Sequence, residues 1–444
     1  MKVKRMIAMG LAGVMTASML AGCGASTQTG ESGGQAAQEE KSGEGGSEKK
    51  VIRFWAHQNE AWQVAYEDMI AKFEEQYPEY DVQSEYYPYK DFETKIQTSL
   101  MTEGEGADVY AMWGGWALDF GSTGALCPVP ENLAEDIETD FYEPSVAAYR
   151  YEDQIYGVPL EYNLEYGGML VNKKLFEEAG LDYPTTWEEL EQVSNQVSVG
   201  DGTVNEMRGF DFVSQDSLTY LYLGMILSSG GQYLNEDGSV DFTSKEAVEA
   251  MEQLKSYVVD NHWSNMDTLV RGDSAYRLLY EGKSFMHPVG CWAVSNGEVA
   301  YGLKYGEDYD YVPLPSYGSE TKFAAETGWG LAVPQNSKEQ EGAWKFVEFF
   351  TDPDNLVEFN IACAQIPPRK SMQSSEKYQE AMPYATFLLD ILEKGQWIGP
   401  YNTETFKASL ASTFMSLCST DEYASVEEAL AAFTDTINQT QIKN

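Results

Sequence analysis

Short strand-like runs alternate with amphipathic helix patterns along this chain, and that alternation limits the possible folds more than any other feature. A β-branched and aromatic run at 51–55 predicts a strand, and apolar residues at helical spacing over 62–73 predict a helix behind it. Pro78 ends that helix, and a second strand pattern begins near Tyr80. A helix over about 91–101 and a strand over 108–113 complete a βαβαβ unit. We therefore expect an α/β layer structure with a mostly parallel sheet.

Two tryptophans lie where the ligand of such a sheet would bind. Ligands of open α/β sheets sit outside the carboxyl ends of the strands. Trp55 and Trp113 are the last residues of the first and third predicted strands. We therefore expect both indole rings to face a ligand, with ordinary core packing as the alternative for each.

The first residues of the chain are typical of a bacterial lipoprotein signal. Three cationic residues at positions 2, 4 and 5 precede an apolar run from Met6, and Leu-Ala-Gly at 20–22 comes directly before Cys23. This order predicts a signal peptide over 1–22, with lipid (palmitate and a second acyl attachment) on the new N-terminal Cys23. An ordinary secretory signal followed by a chance cysteine is the alternative. A lipid on Cys23 would anchor the protein at the extracytoplasmic face of the cell membrane.

Residues 23–50 are built almost wholly from small and polar residues and cannot form a core. We expect a flexible linker that spans on the order of 30 Å and tethers a folded body. Beyond it, no uncharged apolar stretch reaches the roughly 18 residues of a membrane-spanning helix. If the protein serves transport, another protein must therefore form the pore.

Charge and cysteine spacing exclude several classes of partner. The net charge of −42 argues against nucleic acid and anionic lipid surfaces, which would be repelled. The cysteines of the body show neither metal-ligand spacing nor a disulfide framework, so we expect buried free thiols. We expect no metal and no cofactor. The cysteines in question are Cys127, Cys291, Cys363 and Cys418.

Five motifs then occur in an order that resembles one known family. Residues 167–190 (GGMLVNKKLFEEAGLDYPTTWEEL) are similar to a hallmark of the extracytoplasmic solute-binding proteins of sugar ABC transporters, the group related to maltose-binding protein. Further resemblances follow at 281–292, 311–315, 328–355 and 366–369. The resemblance as a whole covers essentially everything from Val51 to the C-terminus, and the order of the five motifs is more specific than any one of them alone.

The resemblance implies a two-lobe, periplasmic-binding-protein-like α/β fold of type II, with a hinge and a ligand cleft between the lobes. Lobe 1 is expected to comprise 51–160 plus 317–354, and lobe 2 to comprise 161–316 plus 355–444. The chain would cross between lobes after Pro159, at 313–315 and near 352–353, where strand patterns meet proline. The implied function is capture of a sugar or oligosaccharide by hinge closure and delivery to the permease subunits of an ABC transporter. The implied protein is a monomer without catalytic activity.

Sugar sites combine flat aromatic surfaces for C–H faces with polar groups for hydroxyls. Trp292, in the segment Gly290-Cys291-Trp292-Ala293, resembles a stacking residue of the family, and Trp113 resembles a second one. Glu161 and Glu165 compete for one hydroxyl-binding role after the first crossover, and Arg369 has a structural ion pair as its alternative. The candidate ligand-binding residues are Trp55, His57, Gln58, Trp113, Glu161, Tyr162, Asn163, Trp292, Trp329, Arg369 and Trp397.

Two other functions stay open from the residues alone. The chain has no Gly-x-Ser-x-Gly elbow, no His-Glu-x-x-His pair and no phosphate-binding glycine loop. A lipid-anchored glycoside hydrolase is nevertheless an alternative, because it would use paired carboxylates beside aromatic sugar platforms. A binding protein for a polyamine or a peptide is the other alternative, and the acidic composition would suit a polyamine. The identity, length and linkage of the sugar depend on loop geometry around the cleft.

Overall fold

The computed structural model describes residues 49–102, 104–164, 166–214, 216–270, 276–401 and 403–441. The predicted signal peptide at 1–22 and the lipid acceptor Cys23 lie outside the described residues, as does the predicted linker up to residue 48. Glu165 also lies outside them. Within the described part, no helix is long and apolar enough to cross a membrane.

The described strands are short, and most belong to two five-stranded sheets. In chain order they are β1 (Lys50–His57), β2 (Tyr80–Tyr87), β3 (Val109–Trp113), β4 (Arg150–Tyr151), β5 (Gln154–Ile155), β6 (Val158–Pro159), β7 (Asn163–Leu164), β8 (Gly168–Val171), β9 (Val199–Gly200), β10 (Asn205–Phe210), β11 (Ser284–Pro288), β12 (Asp310–Pro313), β13 (Phe323–Glu326), β14 (Trp329–Ala332) and β15 (Gly395–Trp397).

Helices cover the faces of both sheets. In chain order they are α1 (Glu60–Gln76), α2 (Tyr89–Leu100), α3 (Gly114–Ser122), α4 (Glu131–Asp140), α5 (Glu143–Val146), α6 (Lys173–Ala179), α7 (Trp187–Val197), α8 (Asp216–Ser228), α9 (Lys245–Val259), α10 (Met266–Leu269), α11 (Arg277–Tyr280), α12 (Val294–Tyr301), α13 (Gln340–Phe350), α14 (Pro353–Cys363), α15 (Glu376–Ala381), α16 (Thr386–Leu389), α17 (Thr403–Ser419) and α18 (Val426–Thr440).

The first sheet has the order β2-β1-β3-β14-β6. Strand β1 pairs in parallel with β2 and β3, which confirms the predicted βαβαβ unit. Strand β14 is antiparallel to both β3 and β6, so the prediction of a mostly parallel sheet is wrong beyond the first three strands. The reason is topological, because β14 follows β13 of a separate three-stranded sheet and enters the first sheet in the direction opposite to β3.

The second sheet has the order β12-β8-β11-β10-β9. Strands β10 and β11 are parallel, whereas β8 is antiparallel to both of its neighbours. Helix α7 packs beside β10 and begins with the capping box of Thr186 and Glu189. Its Trp187 donates an indole hydrogen bond to Tyr257 of α9 at 2.7 Å, so this tryptophan is a packing residue.

Two chain segments cross between the sheets side by side, and they define two lobes. Residues 160–163 lead from β6 of the first sheet to β7, and residues 326–329 lead from β13 to β14. Strands β7 and β13 pair with each other in a separate sheet of order β15-β13-β7. We call 160–163 and 326–329 the crossover segments. The first begins directly after Pro159, where the sequence predicts it.

A third chain segment passes close to these two. Helix α14 packs against α1, so the chain stays with the first sheet through Cys363. The amide N–H of Tyr162 then donates to the carbonyl of Ile366 at 2.8 Å, and the side chain of Asn360 donates to the carbonyl of Leu160 at 2.7 Å. The exact lobe limits stay a prediction, and this packing would move the last one from residue 354 to after Cys363.

The cysteines of the body are free, as predicted. Cys127, Cys291 and Cys363 are buried, and Cys418 is half-buried. Burial in apolar surroundings raises the pKa of the Cys127 thiol to about 11. The Cys127 thiol therefore stays protonated at neutral pH and behaves as a small apolar group.

Gly328 is the glycine that the crossover most requires. Its φ is +62°, and a Cβ there would lie 2.7 Å from Oε1 of Glu161. We expect Gly328→Ala to lose roughly 1–2 kcal/mol through its backbone conformation and about 1–3 kcal/mol more through overpacking. Gly302→Ala is the matched control, because Gly302 has φ +65° and open space around it. Urea unfolding of both variants checks the difference, and equal losses would contradict a tight crossover.

Candidate functional site

A cavity of about 500 Å³ lies where the two lobes face each other beside the crossover segments. The first lobe contributes the loop after β1, the start of α1 and the end of β3. The second lobe contributes α17, the start of α8 and the 3₁₀ turn at Cys291–Ala293. The lining residues are His57, Gln58, Asn59, Trp62, Tyr89, Trp113, Glu161, Asn163, Asp216, Tyr276, Trp292, Ser295, Asn296, Glu326, Trp329, Cys363, Gln365, Glu404 and Lys407.

Aromatic rings form one wall of this cavity. Trp329 stacks on His57 with ring centroids 4.0 Å apart and an interplanar angle of 22°. Trp62 meets both of these rings edge-on. Burial lowers the pKa of His57 to about 4, so its imidazole is neutral at physiological pH. This wall therefore offers flat, uncharged surface to a ligand.

A second aromatic group faces the cavity from the other lobe. Trp292 lies in the turn after β11, is half-buried, and meets Tyr276 edge-on at 5.8 Å between centroids. Trp113 ends β3, with the ammonium of Lys407 lying 5.2 Å from its ring centroid. Aromatic surface thus comes from both lobes, as recognition of C–H faces requires.

Lys407 is a buried cation held by three carboxylates. Its Nζ lies 2.9 Å from Asp216, 3.2 Å from Glu404 and 3.9 Å from Glu326. Burial alone would lower the pKa of Lys407, but the surrounding negative groups outweigh burial and raise it. The ammonium is therefore charged and is already paired with these carboxylates.

Polar contacts connect this cluster to the first lobe and to the crossover. The hydroxyl of Tyr89, in α2, donates to Oε1 of Glu404 in α17 at 3.2 Å. The amide of Asn163 donates to Oε2 of Glu326 at 3.1 Å. Burial raises the pKa of Glu326, and the charge of Lys407 opposes that shift.

Glu161 belongs to the first crossover segment, contacts the second and is 1% exposed. Its Oε1 accepts the backbone N–H of Trp329 at 2.8 Å, whereas Oε2 has no hydrogen-bond partner among the described residues. Burial raises the pKa of this carboxyl to about 8, and the nearby charge of Glu326 adds to the rise. At neutral pH the group is therefore mostly protonated.

The structure brings seven of the candidate residues to this cavity. They are His57, Gln58, Trp113, Glu161, Asn163, Trp292 and Trp329. It does not bring the other candidates there, namely Trp55, Tyr162, Arg369 and Trp397. Glu165, the competitor of Glu161, is outside the described residues.

Trp55 lies inside β1 rather than at its end. The strand continues to His57, two residues further than the sequence predicts, which moves its carboxyl end by about 7 Å. The indole N–H of Trp55 donates to Glu85 at 3.2 Å, and its ring packs edge-on against Tyr87. Trp55 lines a separate surface groove beside Lys95 and Thr98.

Tyr162 faces away from the cavity because neighbouring side chains of an extended segment point to opposite sides. Its ring stacks on Tyr142, and its hydroxyl donates to the carbonyl of Leu392 at 2.8 Å. Glu161 and Asn163, on either side of it, line the cavity.

Arg369 forms a buried ion-pair cluster instead of lining the cavity. It is 3% exposed and lies 2.6 Å from Asp136 and 3.1 Å from Asp140 of α4. It also donates two hydrogen bonds to the carbonyl of Thr351. This is the structural alternative that its position in the sequence allows. Trp397, half-buried at the end of β15, is not among the cavity residues.

Sequence reasoning missed the Lys407 cluster and Tyr89. A signal was present for Lys407, since it lies on the same helical face as the buried residues Leu410 and Phe414 of α17. A lysine on an apolar stripe requires a partner or a function. Asp216 and Tyr89 open their helices like ordinary surface residues, and their sequence neighbours give no signal.

The chain matches known proteins in sequence. Residues 68–386 match the family described as bacterial extracellular solute-binding protein. A putative binding protein of Brucella abortus (strain 2308) is 26% identical over 327 residues, which are 72% of this chain and 77% of that protein. The maltotriose-binding protein of Pyrococcus abyssi is 22% identical over 327 residues, which are 72% of this chain and 67% of that protein.

The fold also matches solved structures. An ABC substrate-binding protein of Listeria monocytogenes, solved in complex with cycloalternan, superposes with a TM-score of 0.73 at 21% identity. The match covers 88% of this chain and 99% of that chain. The predicted two-lobe α/β fold is therefore confirmed.

Removing Arg369 tests its structural role. We expect Arg369→Met to lose roughly 1–3 kcal/mol of unfolding free energy, because the buried carbonyl of Thr351 loses both hydrogen bonds that Arg369 donates to it. Arg150→Met is the control, since Arg150 pairs with the exposed carboxylates of Glu138 and Glu143. That variant should lose no more than about 1 kcal/mol. Similar unfolding free energies for the two variants in urea would argue against a structural Arg369.

Proposed function

The chain belongs to the family of bacterial extracellular solute-binding proteins, and from that premise we propose that its cleft captures a sugar or oligosaccharide for an ABC permease. One observation carries this proposal. The cavity combines aromatic rings from both lobes with carboxyl and amide groups along the crossover segments. That combination matches a ligand with apolar C–H faces and many hydroxyls. Relatives named for maltotriose and solved with cycloalternan support the same ligand class.

Capture is proposed to occur by hinge closure of the two lobes. The crossover segments are the proposed hinge, because they join the sheets, and the chain after Cys363 passes beside them. The hydrogen bond from Tyr89 to Glu404 joins α2 of the first lobe to α17 of the second, across the cavity. A ligand held between aromatic rings of both lobes would favour the closed arrangement, which a permease then recognises.

The proposed protein binds its sugar without cutting it and works as a monomer. Glu161 and Glu326 are both buried and both have a raised pKa. A hydrolase needs one ionised carboxylate beside a protonated one, and carboxyl groups of both kinds line this cavity, so the proposal of binding without cleavage rests on the family, which is described as solute-binding proteins. Product chromatography after incubation with the bound sugar separates the two functions, since recovery of the intact sugar supports a binding protein.

The decisive screen uses the purified protein and a sugar panel of mono- and oligosaccharides that includes maltotriose and cycloalternan. A ligand that binds only the folded state raises the melting temperature by mass action. A clear shift with one member supports the proposal. An unchanged melting temperature with every member of the sugar panel, together with a shift on adding a polyamine or a peptide, would overturn the proposal.

Trp292 should carry a large part of the sugar affinity. We expect Trp292→Ala to weaken binding of the panel member that gives the largest shift by roughly tenfold or more, because a ring central to the contact is lost. Trp55→Ala is the control, since Trp55 is equally half-buried but lies outside the cavity. Calorimetry measures both, and equal losses would contradict the proposed contact.

We also propose that Cys23 anchors the protein at the extracytoplasmic face of the membrane. Cys23→Ser removes the lipid acceptor, so we expect the protein to move from the membrane fraction to the soluble extracytoplasmic fraction. Cys127→Ser is the control, because Cys127 is a buried thiol of the folded body. A Cys23→Ser protein that still sediments with the membrane would contradict a lipid anchor.

A further inference from the structure

Glu161 combines full burial with an unsatisfied oxygen in the ligand cavity. One carboxyl oxygen is fixed by the N–H of Trp329, and the other has no partner among the described residues. A buried polar atom without a partner costs free energy, so such an atom in a binding cavity points to a missing ligand group. The close backbone of Gly328 prevents the carboxyl from moving back, since even a Cβ there would touch it.

The N–H of Trp329 favours the ionised form of Glu161, but burial outweighs it, and the ionisable side chains that face Glu161 do not stabilise a negative charge. They come from four packed elements, namely Tyr66 of α1, Tyr149 of the turn after α5, Glu326 of β13 and Cys363 of α14. Each is a phenol, a carboxyl or a thiol. Lys407, a cation that lines the cavity, is paired with Asp216 and Glu404, and its Nζ lies 3.9 Å from Glu326. The charged form of Glu161 therefore faces one acidic group and three that are neutral.

We propose that Glu161 binds the sugar as a neutral carboxylic acid, whose free oxygen carries the proton and donates a hydrogen bond to a ligand oxygen. This inference rests on the proposed function. A protonated carboxyl supplies one O–H donor, whereas the ionised form only accepts. The contact therefore selects an acceptor oxygen at this point of the ligand, and ionisation of Glu161 removes the donor and leaves a buried charge.

The same residue connects ligand capture to the hinge. Glu161 belongs to one crossover segment and is bonded to the other at Trp329, whose ring is part of the aromatic wall. Ionisation of Glu161 would remove the donor to the ligand while the hydrogen bond from the N–H of Trp329 persists. Ligand affinity is expected to be high below the pKa of about 8 and to fall above it.

The protonation state can be measured without any ligand. The infrared difference between wild type and Glu161→Gln should show the carbonyl band of a protonated carboxyl at neutral pH. Since the folded-state pKa is raised from 4.5 to about 8, the folded protein keeps a proton that the unfolded chain releases. The urea midpoint of wild type should then fall as pH rises through that window, more steeply than that of Glu161→Gln. Absence of the band at neutral pH overturns the inference.

The role in binding is tested with each panel sugar that raises the melting temperature. Wild-type affinity should fall about tenfold from pH 7 to pH 9, because the protonated fraction of Glu161 falls by about that factor around a pKa of about 8. Glu161→Gln keeps a donor that does not titrate, so its affinity should change less than about twofold over that range. Glu85→Gln is the control and should follow wild type, since Glu85 pairs with Trp55 and Tyr87 outside the cavity.

The outcomes separate the two proposals. A wild-type affinity that stays flat over this range, or falls in parallel with that of Glu161→Gln, overturns the neutral-acid contact while the sugar function stands. Silence of the whole sugar panel overturns the sugar function, and the ligand contact falls with it. A pH-dependent affinity that disappears only in Glu161→Gln supports the inference.

Discussion

The hydrogen bond from the N–H of Trp329 to the carboxyl of Glu161 ties together the two parts of the chain that link the lobes. It joins the two crossover segments at the point where each passes from one sheet to the other. The neighbouring bond from the N–H of Leu160 to the carbonyl of Trp329 holds the same two strands in register. Because both lobes are built on these segments, their spacing fixes where the aromatic wall meets the second lobe. The positive φ of Gly328 permits this close approach.

The protein carries a net charge of −42. In contrast, burial favours the neutral form of the two buried carboxyl groups of its cavity, Glu161 and Glu326. Burial raises the pKa of both Glu161 and Glu326, and Lys407 balances the carboxylates at the rim. The acidic surface and the neutral interior of the cavity therefore have different consequences. The surface favours solubility and repels anionic partners. The interior suits a neutral ligand that is recognised by hydrogen bonds and ring stacking.

Local patterns predicted the α/β layer type, and residue chemistry together with the family resemblance gave the seven candidates that line the cavity, whose role in binding stays a prediction. The resemblance to the family located His57 and Gln58 at the end of the first strand, and the motif around Trp292 located the second-lobe ring. Sequence reasoning failed where tertiary packing decides. The position of Trp55 depends on where β1 ends, and that of Tyr162 depends on which side of an extended segment faces the cavity. The role of Arg369 depends on Asp136 and Asp140, which are distant in sequence. Lys407 was missed because its partners Asp216 and Glu326 lie far away in the chain.

A crystal structure with a bound sugar tests the central claim most directly, because it shows both the position of the ligand and the arrangement of the lobes. We expect a sugar ring between Trp292 and the wall formed by Trp329 and His57, with a ligand oxygen within hydrogen-bond distance of Oε2 of Glu161. The lobes should be in contact through Tyr89 and Glu404. A sugar bound elsewhere, such as the groove beside Trp55, with Oε2 of Glu161 still without a partner, would contradict the account.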